Sequence, residues 1–201
     1  MVRQHVNPLS ARFQQKIIIP KWSEIYADIS KPFHIDIGCA KGNYLLTQAQ
    51  ENPDINYLGL EIRESLVDLA NSRKGDLDNI HFLFCNANLD FESIFKSLKN
   101  VDLISILNPD PWFKEKHKKR RVINQTFVNS LESLVDIKTK ILVQTDVEEL
   151  MDDMDKILST KFNLIDFEFN MASDRERAVL SRQEKIFKKA YQVQDYRQKK
   201  N

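Results

Sequence analysis

Glycine is scarce in this chain: 201 residues contain four. A loop that cradles a pyrophosphate in the G-x-G-x-x-G manner needs glycines for its turn, for close phosphate approach and for helix packing. The nearest thing here, Gly38-Cys39-Ala40-Lys41-Gly42, has alanine in the middle and the wrong final spacing. That disfavours a dinucleotide loop, and with it a nicotinamide dehydrogenase. Cysteine is scarcer still. Cys39 and Cys85 form neither a C-x-x-C pair nor a disulfide framework, so a reducing, cytoplasmic setting is expected. No metal is expected. No apolar run approaches the ~20 residues of a membrane span, and Met1 to His5 lack the apolar core of a secretory signal. Internal repeats and low-complexity segments are also missing.

Excess charge of one sign is absent too, with a formal net charge of +1. The average hides an asymmetry. Cations gather in Lys114 to Arg121 and again from Arg175 to Lys200, while acids gather in Asp146 to Asp155. Concentrated patches with a neutral mean suit a protein that meets a polyanion on one face.

What is present is alternation. Residues 1–31 carry Asn7-Pro8 and Ile19-Pro20 and read as an irregular N-terminal arm, with one helical turn around Trp22 to Ile29 and with Arg3, His5 and Arg12 as possible nucleic-acid contacts. From residue 32 to 201 a single domain is expected. Its strand-like runs are Phe33–Ile37, Ile55–Leu60, Ile80–Phe84, Val101–Leu107 and Ile141–Gln144. Between them stand helix-like runs at Gly42–Glu51, Arg63–Lys74, Leu89–Leu98 and Asn124–Leu134, with Ile62, Leu66, Leu69 and Ala70 on one face of the second and Phe127, Leu131 and Leu134 on one face of the last. An acidic helix over Val147 to Ser159, a strand at Phe162–Phe169 and a long basic C-terminal helix from Asp174 to Lys200 complete the reading. The fold class is α/β, a doubly wound and mostly parallel sheet with right-handed crossovers.

Each strand ends in carboxylates or amides: Asp36-Ile37-Gly38 after the first, Glu61 after the second, Asn86-Ala87-Asn88 after the third, Asn108 and Asp110 after the fourth, Asp146 after the fifth. Open α/β sheets bind ligands at that edge, where a carboxylate such as Glu61 accepts from both ribose hydroxyls. The fourth strand feeds the most informative stretch. Pro109 and Pro111 bracket Asp110, each fixing its own φ and biasing the residue before it toward extended geometry. Trp112 follows, and then the cationic run.

The run Pro109-Asp110-Pro111-Trp112-x-Lys114-x-x-His117-x-Lys119-Arg120-Arg121 resembles the signature of the tRNA (guanine-N7)-methyltransferase family, and the resemblance extends over nearly the whole chain. The Asp36-x-Gly38-x-Ala40-x-Gly42 loop likewise resembles that of class I S-adenosylmethionine methyltransferases, with one glycine replaced. The resemblance implies a Rossmann-like class I fold, S-adenosylmethionine as cofactor and tRNA as partner, with N7 of a variable-loop guanine as the target. It implies a catalytic Asp110 and a cofactor site of Asp36, Gly38, Glu61, Asn86, Ala87 and Asp110. Asn86 stands where the family usually has an acid that meets the adenine amine, and Asn88 is a nearby substitute. Lys114, Asp146, Ser173 and Glu176 are implied to hold substrate, the last two matching a Thr-x-x-Glu motif with serine for threonine. As bare sequence, Ser173-x-x-Glu176 is also a helix capping box.

Lys118, Lys119, Arg120 and Arg121 are expected to meet tRNA phosphates, which position a nucleic acid without reading it. Trp112 either stacks on the extruded base or buttresses Asp110, the latter preferred. Two alternatives stay open: a class I methyltransferase acting on another RNA base or a protein, and a catalytically silent RNA-binding module.

Overall fold

The computed structural model describes residues 6–168 and 173–193. Arg3, His5 and the stretch of the expected C-terminal helix beyond residue 193 lie outside them. The five apolar runs form strands β1 (Phe33–Ile37), β2 (Asn56–Glu61), β3 (Ile80–Phe84), β4 (Val101–Leu107) and β5 (Lys140–Thr145). They lie side by side in the order β3-β2-β1-β4-β5 and all run parallel. Helices α1 (Asn43–Glu51), α2 (Glu64–Arg73), α3 (Ala87–Ser97) and α5 (Gln125–Leu134) supply the crossovers, and a short α4 (Glu115–Lys118) follows β4. With helices covering the sheet, its central strand is free to be buried throughout, as all five residues of β1 are. One large core joins Ile35, Ile104 and Val143 to Phe91, Phe127 and Leu131, and a second gathers Leu45, Val67, Ala70 and Phe82. Sequence order reverses between β1 and β4, so the switch point of the sheet lies there.

The chain then departs from the sequence reading. After α6 (Glu148–Leu158) and β6 (Phe162–Ile165), the expected long basic helix is short: α7 (Asp174–Leu180) ends and strand β7 (Phe187–Val193) begins. β7 lies between β5 and β6, antiparallel to both, with Tyr191 opposite Ile141 on one side and Leu164 on the other. Two open strand edges claimed this segment. Its charges are also not a solvated helix face. Lys189 Nζ and the Tyr191 hydroxyl each donate to Asp155 of α6, both at 2.6 Å, and Tyr191 is fully buried. A smaller correction concerns α2, which turns Val67 and Ala70 inward and leaves Leu69 exposed. The seam is set by the close approach of Ala70 to Gly42, where an added Cβ would stand 3.1 Å from that of Ala70.

The N-terminal arm belongs to the core. A 3₁₀ turn at Trp22–Glu24 buries Trp22, whose indole N–H donates to Ser97 Oγ at 2.8 Å. Tyr26 is buried beside it, donating to the Tyr57 carbonyl at 2.9 Å. Among the described residues, no helix is long and apolar enough to cross a membrane.

Candidate active site

The loop after β1 takes its shape from three left-handed residues, Gly38, Ala40 and Gly42, at φ 83°, 51° and 75°. Alanine in the middle thus keeps the glycine-like turn, at a steric cost of roughly 1–2 kcal/mol. What holds it there is a hydrogen bond from the Ala40 amide to Glu61 Oε2 at 2.9 Å. Gly42 is required by crowding as well, since a Cβ would fall 2.5 Å from the Phe82 ring. Above Gly38 there is open space, with nothing within 4 Å of an added Cβ.

Glu61, at the end of β2, is buried and already well satisfied. Its carboxylate accepts from the Ile62 and Arg63 amides at 2.9 and 3.0 Å, and from the Arg63 guanidinium at 3.0 and 2.9 Å in a two-pronged pair. Sequence reasoning missed Arg63. The available signal was its place in Glu61-Ile62-Arg63, two residues beyond the ribose-type acid.

Asn86, after β3, caps α3 by accepting from the Asn88 amide at 3.2 Å. Both protons of its Nδ2 are in use, donated to the Pro8 and Phe13 carbonyls at 3.1 and 3.0 Å. The residue that departs from the family's acid therefore ties the N-terminal arm across the end of β3, and Val6 and Pro8 become part of the cleft wall. Asn88 is likewise engaged, donating to the Arg121 carbonyl at 3.3 Å.

Beyond β4, two non-glycine residues in the left-handed region, Asn108 (φ 53°) and Trp112 (φ 41°), bracket Pro109-Asp110-Pro111. Such strain persists only where neighbours over-determine it. The Asn108 amide donates to the Gln144 carbonyl at 2.7 Å, and Arg121 Nε donates to the Pro111 carbonyl at 2.7 Å. Arg121 is buried, and its Nη1 reaches Asp153 of α6 at 2.6 Å. This corrects the expectation that Arg121 meets phosphate: its guanidinium is turned inward as a strut for the loop that carries Asp110. Arg120 lies half-buried over the Trp112 ring, 4.9 Å from its centroid, and lines the cleft. Lys118 pairs with Glu115 at 2.6 Å and Asp153 at 3.4 Å. Lys114, Lys116 and Lys119 are exposed, and neither cleft described below includes them.

From β5 and α7 come the remaining candidates. Asp146 pairs with Arg175, and Glu176, buried, pairs with Lys188. Neither arginine nor lysine was anticipated. Ser173 caps α7, its Oγ accepting from the Glu176 amide at 3.2 Å and from Gln144 Nε2 at 3.0 Å. Several buried polar atoms at this edge have no partner among the described residues: Asn108 Oδ1, Arg120 Nε, Arg175 Nε and Glu176 Oε2.

These strand ends frame two adjoining clefts. One, with about 820 Å³ of free space, is lined by Gly38, Glu61, Asn86, Ala87, Asp110 and Trp112. The other is lined by Asp36, Tyr44, Asp110, Ser173 and Arg175. Asp110 lines both. Burial, with Glu61 nearby, pushes the Asp36 carboxyl up to about 7 against the opposing hydrogen bond from Ser105. The Arg63 guanidinium is held above its ordinary range by Glu61. Among the described residues no group of His, Cys, Asp and Glu is placed to hold a metal ion.

A profile of a family described as putative methyltransferase matches residues 30–196. A tRNA (guanine-N(7)-)-methyltransferase of Synechococcus elongatus is 47% identical over 157 residues, covering 76% of this chain and 74% of that one. One of Prochlorococcus marinus, of the same name, is 40% identical over 206 residues, with 94% and 99% covered. Among solved structures, the aminoglycoside resistance methyltransferase NpmB1 superposes with a TM-score of 0.60 at 14% identity, over 90% of this chain and 98% of that one. That likeness speaks for the fold, a Rossmann-like class I methyltransferase sheet. With a left-handed loop after β1, an acid ending β2, a proline-bracketed Asp110 between the clefts, and relatives matching at this identity over most of the chain, the protein belongs to the tRNA (guanine-N7)-methyltransferase family.

Proposed function

We propose that this chain methylates N7 of a guanine in the variable loop of tRNA, with S-adenosylmethionine as the methyl donor. The observation that carries the reading is the position of Asp110, on a stiffened loop at the β1/β4 switch point and in the wall of both clefts. The cofactor then lies in the first cleft with its amino-acid end reaching Asp36 in the second, and the base meets it from the second.

The residues fit that cofactor. Open space over Gly38 admits a ligand against bare backbone, and Glu61 offers the ribose a carboxylate that Arg63 covers in this structure. Ala87 with Trp112 and Val122 forms a wall suited to an adenine ring. Asp36 suits the cationic amino-acid end. When bound, the cofactor supplies an electrophilic methyl group on a sulfonium.

Guanine N7 presents a lone pair and no proton, so the protein needs no general base. Its tasks are to align the base and to stabilise the positive charge that develops on the ring. Asp110 serves the second. For the first, Asn108 Oδ1 and Glu176 Oε2, buried and without partners among the described residues, are acceptors of the kind that guanine's N1–H and exocyclic amine require. Adenine would leave acceptors unpaired. Ser173 and Asp146 support this wall, and Lys114, Lys116 and Lys119 are exposed for the phosphates of an extruded nucleotide's flanks. The test is incubation with unmodified tRNA and methyl-labelled S-adenosylmethionine, then digestion. Label in 7-methylguanosine is expected; label in another nucleoside, or none, overturns the reading.

A further inference from the structure

Beneath the cofactor loop lies a polar chain that the proposed reaction does not use. Ser105 of β4 stands opposite Asp36 of β1 in the sheet register, and its hydroxyl donates to Asp36 Oδ1 at 2.6 Å. The same hydroxyl oxygen lies 2.8 Å from His34 Nε2. All three side chains are buried, Ser105 completely. The His34 ring is enclosed by those of Tyr44 and Tyr57, with centroids at 5.9 and 5.5 Å. Buried polar residues at three successive links in the middle of a parallel sheet are costly unless each is satisfied. Apolar residues would fill the same volume.

The hydrogen-bond chain has two possible senses. A hydroxyl has one proton to give. When Asp36 is ionised, Ser105 donates to it, and His34 must donate to Ser105 through an Nε2–H. When Asp36 is protonated on Oδ1, its O–H faces Ser105 and the chain must reverse, with the His34 ring proton moving to Nδ1. Protonated on Oδ2, it leaves the chain as it is, but Oδ1 is then a neutral oxygen that accepts more weakly than a carboxylate. The donor at His34 Nε2 therefore favours the ionised carboxylate and penalises the protonated one. His34 does this without adding charge, because burial pulls its own titration down to about 3. Burial and Glu61 at the end of β2 oppose the ionisation of Asp36, while the Cys39 thiol of the loop and the Tyr44 phenol of α1, which also face it, are both pushed up by burial and by Asp36 and stay neutral. The Ser105–His34 pair pulls the other way.

We propose that Ser105 and His34 are positioning residues that hold Asp36 as an oriented carboxylate for the cationic end of the cofactor, and so set the pH range over which this chain binds it. The inference rests on the S-adenosylmethionine reading of the site. Neither residue lines a cleft; the hydroxyl of Ser105 reaches the site through Asp36, whereas His34 also packs on the cleft residue Tyr44, so Ser105→Ala is the deciding variant.

The test is calorimetric affinity for S-adenosylmethionine from pH 5.5 to 9.5, with the full chain and no tRNA. Ser105→Ala removes one oxygen. Losing a hydrogen bond to a charged group shifts the midpoint of the pH dependence up by about one unit. Affinity then falls about tenfold at pH 6 and stays unchanged at the alkaline end. His34→Leu shifts it in the same direction, and His34→Gln, whose side-chain N–H reaches the Nε2 position, restores it. A ligand's own titration is common to all variants and cancels. A purely structural role would lower affinity equally at every pH, or leave it untouched. Either result for Ser105→Ala, with wild type binding normally, overturns the proposal alone. Wild type that binds no S-adenosylmethionine at any pH overturns the functional reading and the proposal together.

Discussion

Asp110 is presented by two prolines, by flanking residues in left-handed conformations and by the Arg121 strut on Pro111, so its carboxylate has little freedom to lose on meeting the base. Asp110→Asn keeps the shape and removes the charge. In single-turnover methyl transfer with both ligands saturating, the rate should fall on the order of 10²–10³-fold, while affinities for S-adenosylmethionine and tRNA hold. A rate within a few-fold of wild type would reduce Asp110 to a turn residue. Asp36 makes a different demand. Its ordinary value of 3.8 is raised to about 7 in the folded chain, so the native state keeps a proton that the unfolded chain gives up. The stability this represents is fully present below the unfolded value and is lost as pH rises through the folded one. In the unliganded protein, Asp36→Asn should leave the melting temperature near pH 4 almost unchanged. At pH 8 it should raise stability by on the order of 4 kcal/mol, while cofactor affinity drops. Equal melting shifts at both pH values would mean that Asp36 is not the strained group.

At the scale of elements, the cationic stretch divides into two functions. Replacing the exposed Lys116 and Lys119 with alanine should flatten the salt dependence of tRNA binding by nearly one unit of slope for each phosphate left without its cation. Arg121→Ala should leave that slope alone, lower turnover and destabilise the fold by on the order of 1–3 kcal/mol, because the buried Pro111 carbonyl loses its donor and Asp153 keeps only its longer pair with Lys118. The reverse pattern would make Arg121 a phosphate ligand after all. Composition could not separate these neighbours, since four consecutive cations look alike until α6 brings Asp153 against Lys118 and Arg121. The parallel strands were legible because buried runs such as Ile80–Phe84 and Val101–Leu107 have sharp polar ends. Asp36, Glu61 and Asp110 were legible for the same reason: they are strand ends. β7 was not, because its lysines and glutamine face partners far away in sequence. Arg175 and Lys188 escaped notice because a carboxylate's partner is fixed by tertiary approach, and Asn86 because nothing local reveals that its amide holds Pro8 and Phe13; Arg63, two residues from Glu61, was within reach of a local reading.

Taken whole, the molecule opens its two clefts along one edge of the sheet and ties the N-terminal arm across the end of β3 there. S-adenosylmethionine at a hundred times its dissociation constant should stabilise the native state by about 2.7 kcal/mol, or roughly 5–10 °C in melting temperature for a chain of this length. NAD should give no shift, and Glu61→Ala should lose most of the one seen with S-adenosylmethionine. A larger shift with NAD would overturn the cofactor class. The strand order carries one more implication, for how the protein is made. β6 meets the sheet through β7 alone, and β7 is also what covers β5. Before β7 is inserted, β5 has a bare flank and β6 has no strand to pair with, so a chain folded only that far offers an open edge to strands of other chains.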